Sequence, residues 1–228
     1  MISLVYVFYI FVGLAAVIGA VRGWAKETLV LISALLALFI IFVFESYVGV
    51  YQQIIYPDPV PYTVQVGDTC QSVAENFKIP LRTLIITNNL DPAACTLTPN
   101  TGLLIPNTTT KFYVSSFIMM FFAFFGYQTP SIKLFQAAAR REKVRDIVLG
   151  GIFGAANGYL IWGSIWSFLS EAGYESFSPV LSSPELNTTI AERAADLLSR
   201  MPPEHLMQAP LIYFLIALAF GLVLIVYI

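Results

Sequence analysis

Charge is what this sequence has least of. Lys and Arg number 12 and Asp and Glu 14 in 228 residues, so 11% of the chain is charged, against about a quarter in soluble globular domains. With 57% hydrophobic residues and a mean hydropathy of +0.75, a water-soluble fold of this size has nowhere to hide its apolar surface, and lipid must be part of the solvent. The net charge of −2 comes with no basic tract interleaved with aromatics, so no nucleic acid is expected as a partner. A single histidine, His205, excludes a site built from several imidazoles, and no metal or other cofactor is expected. The chain has no GxSxG, HExxH, Walker loop, dinucleotide fingerprint or CxxC pair, which leaves the usual hydrolytic, phosphoryl-transfer and redox machineries without their signatures. No acidic or basic residue sits in the middle of a long apolar run, where a proton or ion path leaves one. Glu45, near the end of such a run, is expected to reach the interface. No enzymatic activity is expected.

Long apolar runs are what the chain has instead. Residues 2–21 carry no charge, and about 20 apolar residues cross a bilayer. They lack a preceding basic region and are followed by Arg22 and Lys26, which reads as a transmembrane helix rather than a signal peptide. The expected organisation is two spans within residues 1–50, a polar insert at 57–110, two more spans within 111–170, an amphipathic segment at 171–208 and a fifth span at 209–228. The class is mainly α: a polytopic transmembrane helical bundle of four to five spans, carrying a small βααβ domain. The Pro-rich stretch Tyr56 to Pro61 reads as a stiff linker. Lys133, Arg140, Arg141, Lys143 and Arg145 join Arg22 and Lys26 in short loops on one side, and basic short loops stay cytoplasmic. The insert and the segment 171–208 then face outward.

Within the insert, residues 62–106 read YTVQVGDTCQSVAENFKIPLRTLIITNNLDPAACTLTPNTGLLIP. Tyr62 to Gln65 alternate as a short strand. Gly67-Asp68-Thr69 makes a turn with a capping oxygen for a helix to about Phe77. Pro80 opens a second helix with Leu81, Leu84 and Ile85 inward, Asn88-Asn89 ends it, and Gly102 to Pro106 is a second strand. YTVQ-x-GDT, S-x-A, NNL and L-x-IP, in that order, resemble the LysM domain over its full length. The resemblance implies binding of N-acetylglucosamine-containing glycans such as peptidoglycan or chitin in a shallow groove. It places Gly67, Asp68 and Thr69 on one side and Ala94, Thr96, Leu97 and Thr98 on the other. Where the family often has Gly-Gln before the last strand, this chain has Asn100-Thr101. Asn tolerates the left-handed conformation such a turn needs. The usual Leu after GDT is Cys70, which, paired with Cys95, ties the first helix to the loop before the second strand, a disulfide that an external location permits.

The spans carry glycines at four-residue spacing: Gly19 and Gly23 at the end of the first, Gly150, Gly154 and Gly158 in the fourth. Small residues so spaced let helix backbones approach closely, either within this bundle or against a second protein. RGWAKETL (Arg22 to Leu29) and VRDIVLGGIFGAANGYLI (Val144 to Ile161) resemble the colicin V production (CvpA) family, through Arg22, Gly23 and Glu27 and then Asp146, Gly150, Gly154 and Gly158. Arg22 and Glu27 are expected to pair or cap the tight turn. This chain has Asn157 where the family often has Arg, and the insert and fifth span are further departures. The resemblance implies a small protein of the bacterial cytoplasmic (inner) membrane, linked to toxin production and envelope homeostasis.

Ser183 to Arg200 is read as an amphipathic helix, with Leu186, Ile190, Leu197 and Leu198 near one face, lying on the outer membrane surface or on its own bundle. Two functions follow. One is an envelope protein in the lipid bilayer that contacts peptidoglycan through the outer domain. The other is an accessory or scaffold subunit of a larger membrane complex, in which that domain touches other membrane protein subunits.

Overall fold

A computed structural model describes residues 3–77, 79, 81–91, 94–128, 143–174 and 188–227. Pro130, Lys133, Arg140 and Arg141, and the expected helix start from Ser183 to Leu186, lie outside the described residues. In chain order the elements are α1 (Leu4–Arg22), α2 (Trp24–Tyr47), α3 (Gly49–Ile55), β1 (Val60–Thr63), α4 (Cys70–Asn76), α5 (Leu81–Thr87), β2 (Gly102–Ile105), α6 (Thr109–Gln128), α7 (Lys143–Ala172), α8 (Thr188–Leu198), α9 (Pro202–Leu206) and α10 (Leu211–Tyr227). The fold is mainly helical, and α1, α2, α6 and α7 are long and apolar enough to cross a membrane. The 17 residues of α10 extend about 26 Å at 1.5 Å per residue, a little short of a hydrocarbon core of about 30 Å. The stretch from α8 through α9 meets α10 at a 70° bend. The chain divides into two compact units.

The first unit comprises residues 1–42, 116–167 and 184–228. Its closest packing is between α1 and α7. A Cβ on Gly19 would overlap the carbonyl oxygen of Gly150 and lie 2.7 Å from Gly154 Cα; one on Gly154 would overlap Ala15 O; one on Gly158 would meet Ala15 Cβ at 2.7 Å. The two glycine stripes therefore face each other within this bundle. Gly23 closes α1 with φ +87°, and its N–H bonds to Gly19 O at 2.9 Å. A Cβ there would sit 2.7 Å from an Asp146 carboxylate oxygen, and Asp146 Oδ1 accepts the first N–H of α2, from Trp24, at 3.1 Å. A carboxylate at a helix N-terminus satisfies an orphan donor and the positive end of the dipole. Arg22 does pair with Glu27, Nη1 to Oε1 at 2.6 Å. It also donates to the Tyr127 carbonyl at 2.9 Å and lies 4.5 Å over that residue's ring. Glu27 is fully buried, and its Oε2 accepts from Asn157 Nδ2 at 2.8 Å. Asn157, the departure from the CvpA pattern, thus serves as the neutral partner of a carboxylate already matched to one arginine.

Helix α2 is buried along Val30, Ala34, Ala37, Leu38 and Ile41. Gly126 of α6 comes so near it that a Cβ would lie 2.9 Å from Val30 Cα. On the other side of the unit, Ala194 and Met201 join Val5, Phe8 and Trp166 in a core, with Ile190, Leu197 and Leu198 packed on it. Of the two surfaces open to the amphipathic segment, the described part of α8 occupies its own bundle.

The second unit comprises residues 43–115 and 168–183. Helix α3, within the stretch read as polar connection, buries Tyr51 and Ile55. Strands β1 and β2 pair antiparallel, Val60 opposite Ile105 and Thr63 opposite Gly102. Val60 and Pro61, read as linker, belong to the sheet. Pro61 lies opposite Leu104, whose backbone is turned to Asn88. Asn88 Oδ1 accepts from Leu104 N at 2.7 Å, and its Nδ2 donates to Leu104 O at 2.8 Å and Leu84 O at 3.0 Å. The proline's missing donor therefore costs the ladder nothing, and the Asn88 carboxamide acts as one peptide of a third strand. Helices α4 and α5 fold Val73, Ala74, Ile79 and Leu84 onto Val64, Leu103 and Ile105. Asn88→Ala removes three hydrogen bonds and is expected to destabilise this module by about 2–3 kcal/mol at roughly 1 kcal/mol each. Hydrogen exchange at the Leu104 amide checks it: protection equal to the parent's would refute the clip.

Candidate functional site

Two loops of the βααβ module stand side by side, and the sequence dictates each. The first, after β1, turns at Gly67 with φ +97°, a conformation that favours glycine. Asp68 holds the turn from inside: its Oδ2 accepts from Gln65 N and from Tyr62 Oη, both at 2.8 Å. That bond raises the Tyr62 phenol above its ordinary pKa, since ionising it would set a phenolate against the carboxylate. Thr69 caps α4. Its hydroxyl accepts from Ser72 N at 3.0 Å, and Ser72 Oγ accepts from Thr69 N at 2.9 Å, a reciprocal capping box. The side chains of Asp68 and Thr69, two residues expected to line the groove, are thus engaged in building the loop, which presents outward the open backbone of Gly67 beside the exposed Val66 side chain.

The second loop runs through Ala94, Cys95, Thr96, Leu97 and Thr98. Leu97 packs on the module's core, while Ala94, Thr96 and Thr98 are exposed. Asn100 takes φ +64°, as the turn requires, and its N–H bonds to Val64 O at 2.9 Å while Val64 N bonds to Thr101 O at 3.0 Å. Asn100-Thr101 therefore closes the turn in place of Gly-Gln. Cys70 and Cys95 form a disulfide with Cα atoms 6.1 Å apart, joining the start of α4 to this loop.

The polar atoms these loops leave open decide what they can recognise. Among the described residues, the N–H groups of Gly67, Thr96, Leu97 and Thr98 have no hydrogen-bond partner within the chain. A Cβ on Gly67 would meet nothing within 4 Å, so the backbone there is open to an approaching ligand. Uncommitted amides and neutral hydroxyls suit a neutral ligand that offers both a donor and an acceptor. No group of three or more His, Cys, Asp or Glu among the described residues is placed to hold a metal ion.

A second constellation, within the same compact unit, escaped the sequence reading. Glu45 is 1% exposed, inside protein rather than at an interface. Its Oε1 pairs with Lys111 Nζ at 2.9 Å, and Lys111 also pairs with Glu171 Oε2 at 2.6 Å. Tyr56 Oη donates to Glu45 Oε1 at 3.1 Å, and Gln52 Nε2 donates to the Glu45 carbonyl. Burial raises the Tyr56 phenol well above its ordinary pKa, more than the nearby Lys111 ammonium lowers it, so the donor stays protonated. Lys111 Nζ further donates to Thr83 Oγ1 on α5 at 3.4 Å, and Thr108 Oγ1 donates to the Glu171 carbonyl at 2.6 Å. Both ion partners of Lys111 are carboxylates near the ends of other helices, α2 and α7, so the cluster is an ionic joint between the module and its neighbouring helix ends. The signal was Lys111 itself, a cation on the threshold of an apolar helix, where an opposite charge must be found.

No curated protein and no solved structure matches the chain, and its helical part, despite the two motifs, draws no match to the CvpA family. The module carrying the two loops does match: residues 62–106 fit the LysM domain family, and the insert is a LysM domain.

Proposed function

We propose that the protein is a non-enzymatic, multi-pass protein of a bacterial cytoplasmic membrane. Its LysM domain, on the outer side, binds peptidoglycan or a related N-acetylglucosamine glycan between Gly67–Thr69 and Ala94–Thr98. The observation that carries this reading is the pair of loops with uncommitted backbone donors on both walls, since an acetamide group offers one donor and one acceptor. The Cys70–Cys95 disulfide favours an oxidising compartment, in agreement with the basic loops that place the insert outside. The helical part serves as the anchor. Its two CvpA-like motifs are accounted for by packing on each other, Gly23 against Asp146 and Gly19 against Gly150 and Gly154, which needs no activity of its own. A single shallow site binds weakly and gains from a repetitive polymer and from many copies held in one membrane.

Exposed apolar side chains on the module, Val66 above all with Phe77 and Leu104, favour a second reading, a protein-contact domain of a larger complex. The full chain in detergent, mixed with insoluble chitin, separates the two. Glycan binding predicts retention that soluble chito-oligosaccharide reverses and that cellulose, which lacks the acetamide, does not reproduce. Absence of retention, or equal retention on cellulose, would falsify it, and co-purification of defined membrane partners would then favour the second reading.

A further inference from the structure

The disulfide joins the two walls of the proposed groove rather than two parts of the domain's core. Cys70 directly follows the first wall, Gly67–Thr69, and Cys95 lies inside the second, Ala94–Thr98. Among the described residues no hydrogen bond connects one wall to the other directly; the Val64 bonds to Asn100 and Thr101 hold the far ends of the two loops, and the sulfur bridge, with its contact to the Cys95 carbonyl, spans the walls themselves. The rest of the domain is held independently. Val64, Val73, Ala74, Ile79, Leu84, Leu103 and Ile105 form its core, Asn88 clips β2, and the Thr69–Ser72 box caps α4. The second wall is anchored downstream by Leu97 on the core and by Thr101 Oγ1 donating to Thr98 O at 2.6 Å. Upstream, the Cys95 N–H bonds to Asp91 O at 2.8 Å and Leu90 packs on the core, so residues 94–96 run between two anchors and meet the first wall through the bridge.

We propose that the Cys70–Cys95 bridge is a redox latch on the glycan groove: closed, it holds the walls at binding width, and opened by a dithiol, it lets the second wall swing and the glycan leave. This rests on the glycan reading above. Cys70 is buried and Cys95 half-buried, so a thiolate of the dithiol attacks the Cys95 sulfur and Cys70 leaves as thiolate. The reagent's second thiolate then attacks its own sulfur in the mixed disulfide and releases Cys95. Two electrons pass from dithiol to protein, two protons end on the cysteine sulfurs, and the reagent becomes its cyclic disulfide. A preformed groove spares the glycan the ordering of the loop, so its loss appears directly as lost affinity.

The test uses the full chain in detergent micelles, titrated with chitin beads before and after dithiothreitol and again after reoxidation with glutathione disulfide. Cys70→Ser/Cys95→Ser serves as the permanently open form, and hydrogen exchange is followed at Val73, Leu84 and Leu103. The expected result is at least tenfold weaker retention in the reduced and Ser forms, recovery on reoxidation of the parent, and unchanged protection of the three core amides. Equal retention by oxidised and reduced protein overturns the latch and leaves glycan binding standing. Weaker retention together with collapsed core protection also overturns it, because the bridge then supports the fold and not the groove. If the oxidised protein itself is not retained, the glycan reading fails and the latch fails with it.

Discussion

Gly154→Leu is expected to take α1 and α7 apart. The atoms a side chain would strike at this position are backbone: the Ala15 carbonyl oxygen, which a Cβ overlaps, Gly19 Cα at 2.9 Å and Ala15 C at 3.1 Å. A flexible neighbour could rotate aside, but a helix backbone cannot, so the two helices must separate along the whole stripe from Gly158 to Asp146. In lipid the close approach is itself the main source of association. Overpacking ordinarily costs about 1–3 kcal/mol, and the backbone obstruction puts this variant at about 3 kcal/mol or beyond. Opening the stripe also pulls Asp146 from the N-terminus of α2 and Asn157 from Glu27, leaving a buried carboxylate with one partner fewer. Gly13→Leu, on the same α1 helix where a Cβ meets nothing within 4 Å, is the control. Thermal unfolding in detergent, followed by size-exclusion monodispersity, should separate them clearly. Equal midpoints for Gly154→Leu and Gly13→Leu would refute the packed stripe.

That comparison marks what the sequence could say. The four-residue spacing of Gly19 and Gly23 and of Gly150, Gly154 and Gly158 was legible because helical geometry puts such positions on one face. Which face met which was not, since spacing alone leaves a second protein as good a partner as the neighbouring helix. The spans were legible from length and hydropathy, but not their ends: α2 starts at Trp24, inside the charged turn, where Asp146, far away in sequence, caps it. The LysM module was legible nearly throughout, for GDT, NNL and the final L-x-IP each do local work, in a turn, a helix end and a strand. What the motif did not say is how its side chains are used. Asp68 and Thr69 bond to Gln65, Tyr62 and Ser72, all within a few residues, and the same motif that names the family is spent on building the loop.

Glu45 shows the opposite failure. A carboxylate at the end of an apolar run has two cheap resting places, the interface or an ion pair inside protein, and the run itself does not distinguish them. Its partners, Lys111 and Glu171, stand far along the chain at the ends of other helices. Proximity of three such ends is a property of the fold, and nothing local encodes it.

Lys111→Met therefore tests the part of the structure least visible beforehand. The substitution keeps an unbranched apolar stem and deletes the ammonium, leaving Glu45 and Glu171 facing each other where Glu45 is 1% and Glu171 12% exposed. Breaking a buried pair by removing one partner costs about 3–5 kcal/mol, chiefly because the remaining charge is stranded, and here two carboxylates are stranded. The expected result is a large fall in the unfolding midpoint in detergent, with faster hydrogen exchange at the Thr83 and Glu171 amides. Adding Glu45→Gln and Glu171→Gln to Lys111→Met removes the stranded charges and should recover most of the loss, as a neutral replacement for a buried ionic cluster often does. Recovery is what separates stranded charge from a poor fit of the new side chain, because the single and triple variants are identical at position 111. A Lys111→Met midpoint within a degree of the parent would mean that water reaches the cluster and screens it. A triple variant as unstable as the single one would mean that the fit of the methionine, and not stranded charge, sets the loss.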